Sequence, residues 1–268
     1  MSFRITEIGS LKNHFLQEVR RAANKGKPTG DGLYIAEGPH LTEELLRSKW
    51  TPAKLICTPA TAPIWERLAR SASVEMIVVS QRVFESIAAT ETSQGIMALA
   101  QPPQWQWKDL LGNPTFLVVL DGIQDPGNAG TILRSAEAFG ATGVVLLKNS
   151  VRLSNGKLMR ASAGSIFQVP LCEMLDSGEF LKQARGAGLR LFSLDAAGRH
   201  LLSSTHFADP CAVIVGGEAK GVSSNLLEAS EKIAVKTHRV ESLNAAVACS
   251  IALYEASRQR QMHEPVRC

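Results

Sequence analysis

The chain has 268 residues, 45% of them apolar and 20% charged, which suffices to bury the core of one large domain or two smaller ones and excludes a disordered or fibrous chain. No strictly apolar run passes five residues, against the roughly 20 that a membrane-spanning helix needs. Residues 1 to 12 break their apolar positions with Arg4, Glu7 and Lys12, so no secretory core is formed and a cytoplasmic protein is expected.

The net charge of +4 is unevenly spread: residues 1 to 30 carry Arg4, Lys12, Arg20, Arg21, Lys25 and Lys27 against Glu7 and Glu18. Such a run suits a solvated helix face or a polyanionic partner. From Leu33 to Leu99 short β-rich runs (33–35, 54–57, 76–79 and 96–99) alternate with stretches of helical length (41–48, 64–72 and 81–87), with Thr42 and Ser80 as expected caps. This predicts a small α/β domain over residues 1–104. The segment Gln101-Pro102-Pro103-Gln104-Trp105-Gln106-Trp107 cannot continue a helix or a central strand, and its tryptophans need cover, so a linker over 105–114 lying against a surface is expected.

The second part, 115–268, opens with Phe116-Leu117-Val118-Val119-Leu120, a run suited to a strand buried on both faces. Similar runs at 144–147, 189–194, 212–215 and 233–235, separated by helical stretches, predict a mostly parallel sheet covered on both sides, closed by a long helix from about Ser242 to Gln261. The five cysteines (57, 172, 211, 249 and 268) are odd in number, with no C-x-x-C pair and no histidine at zinc-ligand spacing, so buried free thiols and no metal site are expected.

Ligands of open α/β sheets gather at the carboxyl ends of strands, which directs attention to three loops. After the 116–120 run comes Asp125-Pro126-Gly127-Asn128-Ala129-Gly130, entering a helix that carries Arg134 and ends at Gly140. Asn128 should lie near the helix N-terminus, and Arg134 one to two turns in. After the 212–215 run comes Gly216-Gly217-Glu218-Ala219-Lys220-Gly221-Val222, where the paired glycines permit close approach of backbone to a ligand. Val222 stands where a phosphate-binding loop has lysine, and G-x-G-x-x-G does not occur, so an ordinary nucleotide-dependent enzyme lacks its phosphate loop. Glu218 disfavours a diphosphate and suits a neutral or cationic cofactor. The third loop, Lys236 to Asn244, leads into a helix opened by small residues, a pattern fitting either close packing on a ligand or a buried alanine-rich helix. A basic and hydroxylic segment holding Lys157, Arg160, Ser162 and Ser165, like Arg20 and Arg21, suits phosphates, which the resemblance given next makes those of RNA.

Together the three loops resemble the motifs of the SpoU/TrmH family of RNA 2′-O-ribose methyltransferases. Asn128 and Arg134 match N-x-x-x-x-x-R, Gly216, Glu218 and Gly221 match G-x-E-x-x-G, and Ser242-Leu243-Asn244 matches S-L-N, in order and at the family's spacing. The first part, with Ala36-Glu37-Gly38 and Ser93-Gln94-Gly95, is similar to the ribosomal-protein-like substrate-binding domain of the family's two-domain members. The resemblance implies an α/β knot domain with a deep trefoil knot behind a smaller N-terminal α/β domain. It implies S-adenosylmethionine held by backbone groups at Gly216, Val235 and Leu243, with Ala234 and Lys236 nearby. Arg134 takes the family's catalytic position, with Asn128 and Asn244 holding it or the ribose and Glu218 anchoring the loop or pairing with Arg134. A homodimer acting on RNA, ribosomal RNA ahead of transfer RNA, is also implied. The competing reading is a catalytically silent RNA-binding or ribosome-assembly protein, which predicts decay of Asn128, Arg134, Glu218 or Asn244; all four are present.

Overall fold

The computed structural model describes residues 3–261, so Cys268 lies outside the described residues. The chain forms two compact units, one built from the residues up to Gln104 together with Arg152–Gln168, the other from Trp105–Val151 and from Val169 onward.

The first unit contains β1 (Ile5–Glu7), α1 (His14–Lys25), β2 (Tyr34–Glu37), α2 (Pro39–Leu46), β3 (Thr51–Cys57), α3 (Ala62–Ser71), β4 (Glu75–Val78), α4 (Gln81–Ile87) and β5 (Ile96–Gln101). Among the described residues these strands make a five-stranded mixed sheet in the order β1-β4-β3-β5-β2, parallel at β1/β4 and β3/β4 and antiparallel at β3/β5 and β2/β5. Strand side chains alternate between faces, and one face, with Ile56, Ile77, Met97 and Leu99, packs on Leu16 and Val19 of α1 and on Val83, Phe84 and Ile87 of α4. Ser80 caps α4 as expected, its hydroxyl accepting from Val83 N at 3.4 Å. Thr42 does not cap α2. Gly38 precedes Pro39, whose fixed φ suits a first helical position, so the helix begins earlier and Thr42 lies fully buried inside it.

The second unit contains α5 (Trp107–Leu110), β6 (Phe116–Asp121), α6 (Pro126–Ala138), β7 (Gly143–Leu147), β8 (Leu171–Leu175), α8 (Ser177–Gly186), β9 (Arg190–Leu194), β10 (His200–Leu201), β11 (Cys211–Gly216), α9 (Ser224–Ala229), β12 (Glu231–Ala234) and α10 (Ala245–Gln261); α7 (Gly156–Ala161) falls in the stretch that packs with the first unit. Among the described residues the strands form a seven-stranded, all-parallel sheet, β10-β12-β9-β11-β6-β7-β8. Phe116 to Leu120 and Cys211 to Val215 are buried throughout, as continuous apolar runs in a parallel sheet require. The expected linker holds α5, and Trp105 and Trp107 pack against this unit's core, Trp107 edge-on to Phe180 at 6.1 Å. Cys57, Cys211 and Cys249 are buried free thiols and Cys172 is half-buried; burial pushes Cys57 up to about 11 and Cys249 up to about 12, so neither is poised as a nucleophile. No helix among the described residues is long and apolar enough to cross a membrane.

α10 starts at Ala245, three residues later than expected, and is anchored at its far end. The Arg260 guanidinium donates to the carbonyls of Phe207 (2.9 Å), Asp209 (2.9 Å), Pro114 (3.2 Å) and Thr115 (3.2 Å) and lies 4.5 Å from the Phe116 ring centroid. Gln259 accepts from Phe207 N and donates to Thr205 O. Arg260→Ala removes these hydrogen bonds, although Thr115 O keeps Cys211 N at 3.0 Å, and should cost about 3 kcal/mol, the upper end for one charge-assisted hydrogen bond at ~1.5–3 because these groups are partly open to water; a lower urea midpoint with an unchanged slope checks it.

Candidate active site

The carboxyl ends of β6, β9, β11 and β12 converge. Gly216 closes β11 opposite Asp121 of β6, and Asp121 secures the following loop: its carbonyl accepts from Gly217 N at 3.0 Å and its carboxylate from Ser223 N at 2.7 Å. The loop turns on Gly221, whose φ is +63°. Both paired glycines line the cleft described below, and each is also required by the packing of the chain itself. A side chain at Gly216 would meet Gly221 C at 2.0 Å, and one at Gly217 would meet Gly122 O at 2.5 Å.

Asn128, the third residue of α6, has its N–H held by Asp125 at 2.7 Å. Asn244 caps α10, its side-chain oxygen accepting from Ala246 N at 2.9 Å and Val247 N at 3.2 Å. Its amide nitrogen is therefore turned outward, donating to Asn128 Oδ1 (3.0 Å) and Glu218 Oε1 (3.4 Å), while Asn128 Nδ2 donates to Glu218 Oε1 at 2.6 Å. The amide orientations are mutually consistent, because a carboxylate only accepts and so selects the NH2 group of each asparagine. Three loops 90 and 116 residues apart in pairs are thus tied through three side chains.

Arg134 is not among them. Six residues beyond Asn128 on the same helix, it is about 9 Å further along and about 240° around the axis. It is exposed, and among the described residues neither Glu218 nor either asparagine contacts it, so the expected Glu218–Arg134 pair does not form.

Beside the three-residue cluster lies a cleft of about 620 Å³, lined at its base by Leu194, Val215, Gly216 and Ile233 and at its rim by Val235, Leu243 and Asn244. Ala234, buried, and Lys236, exposed, stand next to Val235 without lining it. The lining carries Asp195, Glu218 and Glu241 against Lys220. Asp195 and Glu241 were not singled out by sequence reasoning; Asp195 directly follows β9, so the strand-end rule locates it, whereas Glu241 enters through a loop without periodicity. Of the residues expected to touch RNA, Arg20, Arg21, Lys157 and Arg160 are exposed. Ser162 is not available: it is fully buried, its hydroxyl bonded to Met159 O at 2.8 Å, because a hydroxyl at a helix end reaches back to its own turn.

This parallel-sheet unit, with its three-loop cluster beside a ligand-sized cleft, defines an α/β enzyme domain. Residues 115–254 match the SpoU rRNA Methylase family and residues 13–98 the MRM3-like substrate binding domain. An uncharacterised tRNA/rRNA methyltransferase of Synechocystis is 30% identical, covering 96% of this chain and 95% of its own length. The 23S rRNA (guanosine(2553)-2′-O)-methyltransferase RlmP of Bacillus subtilis is 28% identical over 92% and 98%. Among solved structures, the SpoU methyltransferase AviRb of Streptomyces viridochromogenes in complex with AdoMet superposes with a TM-score of 0.82 at 25% identity, covering 93% of this chain and all of that one. The chain belongs to the SpoU rRNA methylase family and is an RNA methyltransferase with an MRM3-like substrate-binding domain at its N-terminal end.

Proposed function

We propose that the protein transfers a methyl group from S-adenosylmethionine to a ribose 2′-hydroxyl of ribosomal RNA. The observation that carries this reading is the cleft itself. Its volume lies in the range of small-molecule sites, its apolar base suits an adenosine, and its three carboxylates against one lysine favour a ligand bearing a sulfonium and an ammonium group. The backbone at Gly216, Val235 and Leu243 would hold the cofactor, which when bound supplies an electrophilic methyl group.

The chain's own residues then have separable tasks. Asn128, Glu218 and Asn244 lock the three loops into one cleft wall. Arg134 orients the ribose hydroxyl or its phosphate and stabilises developing oxyanion charge; a guanidinium keeps its proton in proteins and so does not serve as the base. The preference for ribosomal RNA rests on relatives such as RlmP and on the N-terminal domain. The domain limits 1–104, 105–114 and 115–268, the trefoil threading and a cytoplasmic setting belong to the same reading.

A homodimer completes it. Val247, Ile251 and Tyr254 of α10 are 46%, 38% and 56% exposed and recur at i, i+4 and i+7, one face of the helix. Ser250 on that helix meets Ser135 of α6 at 2.7 Å, immediately after Arg134, so a second copy covering the stripe also reaches Arg134. Ile251→Glu with Tyr254→Glu should convert a dimer to monomer in sedimentation and lower methyl transfer more than about tenfold, while S-adenosylmethionine still binds. The function itself is tested with radiolabelled S-adenosylmethionine and unmodified ribosomal RNA: label in a 2′-O-methyl nucleoside supports it, and none, with cofactor binding intact, favours a silent RNA-binding protein.

A further inference from the structure

We infer that the basic end of α1 and the basic segment around α7 form one continuous track for the phosphate backbone of the substrate RNA, an inference that rests on the function proposed above. In the sequence these segments lie some 130 residues apart and read as two separate patches. In the first unit they meet. Ser154 Oγ donates to the carbonyl of Gly26, the left-handed residue that ends α1, at 2.8 Å with a sequence separation of 128, and a side chain at Gly26 would stand 3.5 Å from the Asn155 backbone. Lys25 and Lys27 therefore flank one side of the contact and Arg152, Lys157 and Arg160 the other, with Arg20 and Arg21 continuing along α1.

The charge is concentrated there. Residues 12–27 and 152–168 together hold eight lysines and arginines against the single carboxylate of Glu18, more than the excess of +4 carried by the entire chain. Glu18 is already engaged, accepting from Gly30 N. Arg20, Arg21, Lys25, Lys27, Arg152, Lys157 and Arg160 are all exposed, and among the described residues none forms an ion pair.

The chemistry of the surface selects the partner. The large apolar residues of the second segment, Leu153, Leu158, Met159, Ile166 and Phe167, are all buried, so its exposed side offers none of the apolar anchors on which protein partners depend. What remains is cations interleaved with amide and hydroxyl groups, the donors that grip phosphate oxygens without reading sequence. The track thus positions RNA and leaves choice of nucleotide to the cleft.

The test compares Lys25→Ala/Lys27→Ala, Lys157→Ala/Arg160→Ala and the fourfold variant of the full-length protein, binding an unmodified large-subunit ribosomal RNA transcript over a series of salt concentrations. Each lost contact removes about 0.7 from the slope of log affinity against log salt for single-stranded RNA, so each pair should flatten it by about 1.4 and the fourfold variant by about twice that. Calorimetric S-adenosylmethionine affinity equal to wild type shows that each variant is folded. A slope altered by only one pair, or by neither, overturns the track. Methylation by the wild-type protein is scored in parallel: if it fails while the slopes flatten, the function is wrong and the track stands; if it succeeds while the slopes stay unchanged, the track alone is wrong.

Discussion

Arg134→Ala is expected to lower methyl transfer to RNA by about 100- to 1000-fold, the usual cost of removing one group that stabilises charge developing in a transition state, while S-adenosylmethionine affinity stays within about twofold. The two effects separate because of where the residue stands. Arg134 is exposed on α6, six residues past Asn128 and on another face of the helix, and is absent from the cleft lining and from the Asn128–Glu218–Asn244 cluster. Its loss therefore removes nothing that shapes the cofactor cleft. Nor should the fold suffer, since among the described residues its side chain holds no partner. Arg134→Lys keeps the charge but loses the planar fork of donors and should recover only part of the rate, because an ammonium does not fix a hydroxyl and a phosphate at once. Single-turnover methylation with cofactor binding measured in parallel decides the matter; full turnover in Arg134→Ala would remove this residue from the chemistry.

The parts of this molecule legible from its sequence are those where local pattern and tertiary demand coincide. The runs at 116–120 and 212–215 read as buried strands because a strand covered on both faces has no polar alternation to confuse it. β1 and β8 escape for the opposite reason. β1 is three residues at the edge of its sheet, held through Arg4 to Glu75, and β8 is an edge strand with Glu173 at its centre, so neither makes a continuous apolar run. The return of residues 152–168 to the first unit is equally silent, since it depends on pairings such as Trp50 with Phe167, 5.1 Å apart and 117 positions distant in sequence. At the site, motif spacing identified Asn128, Glu218 and Asn244 as one group, but not that they bond to each other and leave Arg134 aside; that follows from helical rotation between positions 128 and 134 and from the capping role that turns Asn244 outward. Ser162 shows the reverse failure, a hydroxyl beside cations that composition offers to solvent and packing withdraws.

Gly216→Ala should abolish the cleft more completely than any change to a charged residue around it. The added methyl carbon would stand 2.0 Å from Gly221 C, 2.2 Å from Val222 N and 2.3 Å from Gly221 O, all backbone atoms, so no rotation of a side chain can relieve it. The loop cannot simply swing away. Gly217 N is bonded to Asp121 O and Ser223 N to the Asp121 carboxylate, and Gly217 itself lies against the Gly122 carbonyl, which fixes both ends of the turn to β6. Relief therefore requires that these bonds break and that Glu218 leave Asn128 and Asn244, opening the wall made by three loops. Overpacking of a well-packed site costs about 1–3 kcal/mol, and every 1.4 kcal/mol is tenfold in affinity, so S-adenosylmethionine binding should weaken by about 5- to 140-fold. The melting temperature should fall as well, whereas the salt dependence of RNA binding proposed for the first unit should not change, because its cations belong to the other compact unit. Isothermal titration with S-adenosylmethionine at a temperature where the variant remains folded provides the measurement. Wild-type affinity would mean that the 216–221 turn is softer than its anchoring to Asp121 requires, and that the cofactor is held by Val235 and Leu243 alone.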